Sequence, residues 1–312
     1  MDALRAIGGQ APGGTLYVNL EPCNHQGRTP PCAPAVRASG VARVVVGTRD
    51  PIASHAGGIA RLRRAKIAVT TGVLAAECER ANLAFFTWAR HGRPAFTLKA
   101  AITLDGKIAT VAGESKWITG AAARDDVMRQ RDGHDAVMVG INTVLADDPQ
   151  LSARRPGARD PVRVVIDSAL RTPPAARLLS SGPRTIIACG PGAPARREAA
   201  LARRGAEIWR VGAAPDGRVD LAEVARKLAE AGLLAVLVEG GGQLHASLLA
   251  QGLADRLVIY VAPRLVGGPA PSWVGGDGLA RLADAHAFDF EPGPTRLGDD
   301  LRLIAVRRSE RR

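Results

Sequence analysis

Short apolar runs alternate with amphipathic segments along almost the whole chain. Strand-like apolar runs alternate with segments of helical periodicity up to about residue 88. The Gly and Pro of HGRP (91–94) then interrupt this pattern. Before this break, strands are predicted at 15–20, 42–47 and 66–70, and helices at 33–39, 58–65 and 74–88. After it, strands are predicted at 95–102, 136–140, 161–167, 185–188, 207–211, 235–239, 256–261 and 301–307, and helices at 121–131, 194–204, 220–231 and 242–251.

This alternation is typical of α/β layers built on mostly parallel sheets. The break near residues 88–94 predicts two domains, 1–90 and 91–312. The last two strands have no convincing helix between them, so we expect an antiparallel or long-crossover end to the second sheet. The Gly- and Pro-rich stretch 267–278 is predicted to be an ordered loop.

Composition indicates a globular protein, with 46% hydrophobic and 23% charged residues. The longest apolar stretch, 233–238, is too short to cross a bilayer, and the N-terminus shows no secretory signal. Four cysteines in 312 residues do not form a disulfide framework. We therefore expect a cytoplasmic protein with no membrane partner.

The net charge of +12 comes mostly from scattered arginines. One interpretation is a solvated surface, and another is a positive field that attracts phosphorylated or nucleotide ligands. Aromatic residues are only 4% and no basic helix is visible, so a nucleic-acid partner is not expected.

Two cysteines, Cys23 and Cys32, follow one predicted strand and precede a predicted helix. A thiolate at a helix N-terminus is favoured electrostatically, and zinc binds thiolates strongly. On spacing alone, a zinc site and a pair of buried, inert cysteines both remain open.

A second candidate site is the strand that ends at Glu239 and runs into three glycines, Gly240–Gly242, before a helix. Glycines let the backbone approach a ligand, and a helix N-terminus offers free N–H groups to phosphate. The motif predicts a cradle for a dinucleotide pyrophosphate, although a tight strand-to-helix turn is the alternative and the pattern is not G-x-G-x-x-G. Glu239 is costly to bury without a partner, which indicates a site.

Charged side chains near three other predicted strands allow a structural and a functional interpretation. Lys99, within the apolar run TLKAAI, is either an edge-strand residue reaching solvent or a buried functional cation. Asp147 and Asp148 precede a proline after a strand and a turn, where paired acids commonly only end a turn or helix. Arg131 by itself is typical of a solvated helix charge.

The run TLYVNLEPCNHQGRTPPC, followed by GVARVVVGTRDP, resembles the zinc deaminase half of the bifunctional riboflavin-biosynthesis deaminase–reductase family. The resemblance implies that Cys23 and Cys32 are zinc ligands and that His25 is a loop or substrate-contact residue. The family's H-A-E motif, with the third ligand and the proton-shuttling Glu, is absent before Asp2. We therefore expect a truncated domain without deaminase activity, through either a gene start placed too late or a remnant retained for folding or assembly.

From Arg93 onward, the blocks GRPAFTLKAAITLDGKIAT, GESKWITG, HDAVMVGINTVLADDPQLSAR and VEGGGQLHASLLAQGLADRLVIYVAPRLVGG resemble the reductase half of the same family. The resemblance implies NADPH as cofactor and the following roles. Catalytic residues are Lys99, Asp147 and Glu239; cofactor-binding residues are Ala101, Trp117, Thr143, Asp147, Ser168, Gly240, Gly241 and Gly242; substrate-binding residues are Ser115, Arg131, Leu151, Arg154 and Glu239.

Together the two resemblances imply a truncated cytidine-deaminase-like α/β/α domain followed by a dihydrofolate-reductase-like α/β domain. The implied reaction is NADPH-dependent reduction of 5-amino-6-(5-phosphoribosylamino)uracil to its ribitylamino counterpart, by a homodimer or higher homo-oligomer. We hypothesise that Lys99, with Asp147 as partner, assists sugar-ring opening and protonation, and that Arg131 and Arg154 hold the ribose phosphate.

Three alternatives remain. The chain could belong to a full bifunctional enzyme with a further N-terminal segment. It could be a reductase of the same fold for another pteridine- or pyrimidine-like substrate, since fold does not determine substrate. It could also be a non-catalytic nucleotide-binding scaffold, although the presence of Lys99, Asp147 and Glu239 weighs against this.

Overall fold

The structure is a computed structural model that describes residues 2–27, 29–180 and 182–308. The chain divides into two compact units, Met1–Gly92 and Arg93–Arg312. Both units combine helices with a largely parallel sheet, so the predicted α/β class is confirmed.

The first unit contains one parallel sheet with strand order β1-β2-β3. Its described elements are α1 (Asp2–Ala6), β1 (Thr15–Leu20), α2 (Cys32–Ala38), β2 (Arg43–Thr48), α3 (Gly58–Arg64), β3 (Ala68–Thr71), α4 (Ala75–Ala81) and α5 (Leu83–His91). The central strand β2 is buried because Val44 and Val46 pack against Val36 of α2 and Leu62 of α3.

Glu21, which precedes Cys23, stabilises the start of α3 in this unit. Its buried carboxylate accepts hydrogen bonds from the backbone N–H groups of Gly57 and Ile59, both at 3.0 Å. These donors lie at the start of α3, where N–H groups have no partner within the helix. Glu21 therefore anchors α3.

The region predicted as one helix at 74–88 is two helices, so that prediction is wrong. Asn82 ends α4, where its backbone leaves the helical region with φ −114° and ψ 30° and its side-chain amide donates to the carbonyl of Cys78 at 2.8 Å. A side chain that competes for backbone acceptors in this way favours a helix end. Helix α5 then continues to His91 and ends at Gly92, whose φ of 65° suits a glycine.

The second unit is built on one sheet with the order β11-β13-β10-β4-β9-β5-β6-β7-β8, and β12 pairs with β13. Its described elements are β4 (Ala95–Thr103), α6 (Ala121–Asp132), β5 (Ala136–Gly140), α7 (Ile141–Asp147), β6 (Val162–Ile166), β7 (Thr185–Cys189), α8 (Ala195–Ala202), β8 (Ala206–Arg210), α9 (Leu221–Glu230), β9 (Ala235–Val238), α10 (Gly242–Ala250), β10 (Ala254–Ala262), β11 (Phe288–Phe290), β12 (Thr295–Leu297) and β13 (Asp300–Arg307).

Seven neighbouring strands of this sheet, from β10 to β8, run parallel. The sheet ends as expected from the missing helix, since β13 pairs antiparallel with β10. Apolar side chains cover both faces: Met138 of β5 packs in one core and Val137 and Val139 in the other. The carboxyl ends of β4, β9, β5 and β6 therefore meet at one edge, where α/β proteins commonly bind ligands.

The segment after β5 is the helix α7 rather than the predicted turn. Two of its own residues, Ile141 and Val144, are buried. Tertiary packing therefore stabilises this helix, although its Ile, Asn, Thr and Val have modest helix propensity. The helix ends at Asp148, which has a left-handed φ of 41°. The paired acids thus do mark a helix end.

Candidate active site

A cavity of about 1120 Å³ opens at this edge of the second unit's sheet. Small-molecule and cofactor sites typically have volumes of about 300–1,000 Å³, so this cavity is large for such a site. Every residue predicted for the reductase half lines it: Lys99, Ala101, Ser115, Trp117, Arg131, Thr143, Asp147, Leu151, Arg154, Ser168, Glu239, Gly240, Gly241 and Gly242.

Three buried charges meet at one wall of the cavity. Glu239, just after β9, accepts two hydrogen bonds from Arg131 of α6, Nε to Oε1 at 2.6 Å and Nη2 to Oε2 at 3.0 Å. Lys99 of β4 places its Nζ 3.8 Å from Glu239 Oε2. The side chains are 15, 10 and 8% exposed for Lys99, Glu239 and Arg131, so each charge depends on the others for compensation. We call these residues the charge triad.

The triad determines the protonation of its members. Burial alone would raise the pKa of Glu239, but the charges of Arg131 and Lys99 outweigh it and lower this pKa to about 2. Glu239 is therefore a permanent hydrogen-bond acceptor. Burial lowers the pKa of Lys99, and Glu239 only partly offsets this, so its ammonium gives up a proton more readily than an exposed lysine.

Lys99 lies beside the ring of Tyr260, whose hydroxyl is hydrogen-bonded to Asp126. Lys99 Nζ lies 5.8 Å from the ring centre of Tyr260, on the neighbouring strand β10. The Tyr260 hydroxyl donates to Asp126 at 2.7 Å, and Arg302 donates to the same carboxylate. Burial and this bond to Asp126 raise the pKa of Tyr260, so its ring remains a neutral wall of the site.

The turn at the start of α10 contains three glycines, of which Gly240 and Gly242 are closely packed and Gly241 is not. A Cβ on Gly240 would lie 2.9 Å from the Leu244 side chain, and one on Gly242 would lie 2.9 Å from the backbone N of Gly275. Gly241 has no described atom within 4 Å of such a Cβ, and its φ is −73°. Packing thus accounts for two of the glycines, whereas Gly241 faces open space beside a helix N-terminus.

The expected pairing of Lys99 with Asp147 is wrong. Lys99 pairs with Glu239, and Asp147 forms an exposed ion pair with Lys116, Nζ to Oδ1 at 3.2 Å. The reason is strand order, because β4 lies next to β9, and Glu239 immediately follows β9. Asp147, at the end of α7, still lines the same cavity.

Other predicted residues form the rest of the wall. Trp117 is 60% exposed, and the guanidinium of Arg124 lies 4.6 Å from its ring centre. Ser168 Oγ accepts a hydrogen bond from the backbone of Val219 at 3.3 Å. Further polar residues that the sequence did not indicate also line the cavity, among them Lys116, Arg124, Asn142, Arg171, Arg177 and Arg218. Most of them are arginines, which are so frequent in this chain that the residue type alone does not mark a functional position.

In the first unit, Cys23 and Cys32 lie close together, since the Cys32 backbone N–H donates to Cys23 Sγ at 3.3 Å. Burial, followed by the interaction with Cys23, raises the pKa of the Cys32 thiol. His25 stacks on His55, with ring centres 3.7 Å apart. Within the described residues no three His, Cys, Asp or Glu side chains form a metal-binding group, so those present do not fit a three-ligand zinc site.

The second unit, with a largely parallel sheet and a charge triad and glycine turn around one large cleft, is a reductase domain of the dihydrofolate-reductase-like type, as its solved structural neighbours and its family match indicate. Comparison with known families agrees, because residues 94–294 match the model described as RibD C-terminal domain. The chain belongs to the RibD family of riboflavin biosynthesis proteins. It is therefore a riboflavin-biosynthesis reductase that acts on a small molecule with a nicotinamide cofactor.

Individual relatives support this membership. The riboflavin biosynthesis protein RibD of Bacillus amyloliquefaciens is 41% identical over 308 residues, which cover 97% of this chain and 82% of that protein. The solved deaminase/reductase of Thermotoga maritima has a TM-score of 0.81 at 31% identity, covering 98% of this chain and 83% of that one. RibD of Acinetobacter baumannii gives a TM-score of 0.80 at 36% identity, covering 98% and 84%.

None of the described helices is both long and apolar enough to cross a membrane.

Proposed function

We propose that this chain reduces 5-amino-6-(5-phosphoribosylamino)uracil to the ribitylamino compound with NADPH. The observation that carries the proposal is the charge triad of Lys99, Glu239 and Arg131 inside a cavity of about 1120 Å³. The Thermotoga maritima protein carries the same reductase activity in its name.

NADPH would supply the hydride. The open position at Gly241, with the free N–H groups at the start of α10, suits its pyrophosphate. Thr143, Ser168 and Trp117 line the cavity and would contact the rest of the cofactor, with Ala101 forming part of the wall.

The substrate sugar must open before it can accept a hydride. Opening breaks the bond between C1′ and the ring oxygen, which takes up a proton, while the exocyclic nitrogen loses one and forms an imine with C1′. Hydride addition to C1′ and protonation of the nitrogen complete the reduction, so one proton is consumed overall. Lys99 is suited to deliver a proton because burial lowers the pKa of its ammonium.

Glu239 has a different role, since its low pKa excludes proton donation near neutral pH. As a fixed carboxylate it would accept hydrogen bonds from the substrate and orient it towards Lys99. Ser115, Leu151 and Arg154 line the cavity and complete the proposed substrate contacts. Asp147, also on the wall, would lie near the nicotinamide.

We also propose that the chain forms a homodimer. Support comes from large apolar side chains left exposed in the second unit, with Leu265 73%, Leu282 91% and Phe290 73% exposed. Burying these side chains against a second copy of the chain would remove apolar surface from water, which favours association. Light scattering at several concentrations tests this, and a monomer at every concentration would contradict it.

The activity test is NADPH oxidation by the purified chain with the deaminated pyrimidine and, in parallel, with its undeaminated precursor. We expect turnover of the deaminated compound. No oxidation with either compound, by a chain shown to be folded, would refute the proposal. Ammonia release from the precursor tests the separate prediction that the first unit lacks deaminase activity.

A further inference from the structure

His245, near the start of α10, is a buried titratable residue that the proposed reaction does not use. It is 1% exposed, and the described residues that line the cavity do not include it. Its Nδ1 lies 2.9 Å from the carbonyl oxygen of Trp273, and its Nε2 lies 3.5 Å from that of Val238. Burial lowers the pKa of His245, so near neutral pH the ring is neutral and has one N–H. The shorter distance assigns this N–H to Nδ1, which donates to Trp273.

Trp273 belongs to the segment 264–275, which we call the bridging loop because it contacts both the turn of Gly240–Gly242 and the turn after β4. At one end of this loop, the Gly275 N–H donates to the carbonyl of Gly242 at 2.9 Å. A Cβ on Gly242 would clash with the carbonyl oxygen of Ser272. The backbone of the bridging loop therefore packs directly against the first residue of α10.

The other end of the bridging loop is held by the turn that follows β4. Asp105 of this turn accepts hydrogen bonds from the backbone N–H groups of Gly267, at 2.7 Å, and Val266, at 3.2 Å. Lys107 Nζ donates to the carbonyl of Ala270 at 3.0 Å. The loop thus connects the turn after β4 to the start of α10 through hydrogen bonds at both ends.

The start of α10 needs such support. Gly241 is the N-cap of this helix, and a glycine has no side chain that could accept from the first N–H groups. Glycines also have the widest choice of backbone conformations, so three in succession do not keep one shape by themselves. Packing against the bridging loop fixes the direction in which the free N–H groups of α10 point.

We propose that His245 and Asp105 are positioning residues for the cofactor, because each holds one end of the bridging loop against its neighbouring turn. The loop in turn keeps Gly240–Gly242 in the shape that binds a pyrophosphate. This inference rests on the proposed function, since it takes the pyrophosphate of NADPH to lie at Gly241. Both residues act through the loop, so their loss should weaken cofactor binding and leave the chemical step unchanged.

The first test compares His245→Leu with His245→Asn. Leucine fills a similar volume but cannot donate, whereas the asparagine amide lies near the position of the imidazole Nδ1 and can donate to Trp273. Loss of one buried hydrogen bond changes an equilibrium constant by up to about tenfold. We expect the KM for NADPH to rise about threefold to tenfold in His245→Leu and to remain near that of the unmodified chain in His245→Asn. In both variants kcat at saturating NADPH and the KM for the pyrimidine should be unchanged.

His134→Leu is the matched control. Its Nδ1 also bonds a backbone carbonyl, that of Gln130 at 2.6 Å, and the described residues that line the cavity do not include it. Both His→Leu variants should lower the melting temperature, but only His245→Leu should raise the KM for NADPH. Asp105→Ala tests the other end of the loop at a half-buried position, and it should raise the same KM. This variant decides the role of the loop if His245→Leu does not fold.

Several results would overturn the inference and leave the reductase proposal intact. These are an unchanged KM for NADPH in both His245→Leu and Asp105→Ala, an equal rise in His245→Asn and His245→Leu, or an equal rise in His134→Leu. If the unmodified chain oxidises NADPH with neither pyrimidine, the proposed function fails, and a fluorescence titration with NADPH alone decides. Binding weakened by His245→Leu and Asp105→Ala, but not by His245→Asn or His134→Leu, would then support the inference, and equal or absent binding would overturn it.

Discussion

Replacing Glu239 by glutamine should strongly destabilise the second unit. The pKa of Glu239 falls from 4.5 to about 2, and this drop corresponds to about 3 kcal/mol of preference for the charged form. The substitution also leaves Arg131 and Lys99 buried without an anion, which typically costs about 3–5 kcal/mol. We expect a loss of about 3 kcal/mol in the free energy of unfolding at neutral pH.

Glu207→Gln provides a matched control for this substitution. Glu207 also accepts two hydrogen bonds from one arginine, Arg184, at 2.7 and 2.9 Å, but the two side chains are 43 and 42% exposed. Exposed ion pairs contribute at most about 1 kcal/mol. The same chemical change should therefore have a small effect at position 207 and a large one at position 239.

Urea unfolding followed by circular dichroism measures both variants. Because the folded-state pKa of Glu239 is lowered, its stabilisation is present above about pH 4.5 and is lost as the pH falls towards about 2. The difference between the unmodified chain and Glu239→Gln should shrink over this range. If Glu239→Gln is no less stable than Glu207→Gln at neutral pH, the buried charge triad is not the stabilising unit inferred above.

Three further predictions concern the cavity. Gly241→Ala should fold normally, because no described atom lies within 4 Å of its Cβ, but it should bind NADPH about tenfold more weakly in a fluorescence titration. By contrast, Gly242→Ala should lower the melting temperature, because its Cβ would clash with the backbone of Ser272 and Gly275. Lys99→Met should lower kcat about a hundredfold or more. Because the protonated amine is required and its pKa is lowered, kcat of the unmodified chain should fall with rising pH at a pH below 10.5. A kcat that stays constant at alkaline pH would exclude Lys99 as the acid. Asp147→Asn should change unfolding by less than about 1 kcal/mol, because its pair with Lys116 is exposed, yet reduce kcat/KM; unchanged turnover would exclude a catalytic role.

Local patterns in the sequence were sufficient to predict most strands and helices of the parallel sheet. β-Branched runs such as Val162–Ile166 are typical of buried parallel strands. The helix α7 was missed because its residues favour a helix only once Ile141 and Val144 are buried by the rest of the unit. The break at Asn82 was missed because apolar periodicity continues across it.

The residues that the family resemblance indicated for the reductase half all line one cavity of the second unit, but one expected pairing among them differs. Lys99 was assigned to Asp147, whereas strand order brings it to Glu239. A pairing between strands far apart in the chain leaves no local trace in either segment. Arg177 was missed for another reason, since an exposed arginine in a 3₁₀ turn resembles the many surface arginines of this chain.

The strand order also has a consequence for biosynthesis of the chain. The first strand of the second unit, β4, pairs with β9 and β10, which are far away in the sequence. The ribosome must therefore add about 140 residues after Lys99 before Glu239 is synthesised. Until then β4 has neither of its lateral partners, and its apolar side chains are exposed during translation. We expect the nascent chain to be most vulnerable to aggregation and chaperone binding in this interval, and the reductase centre to form among the last steps of folding.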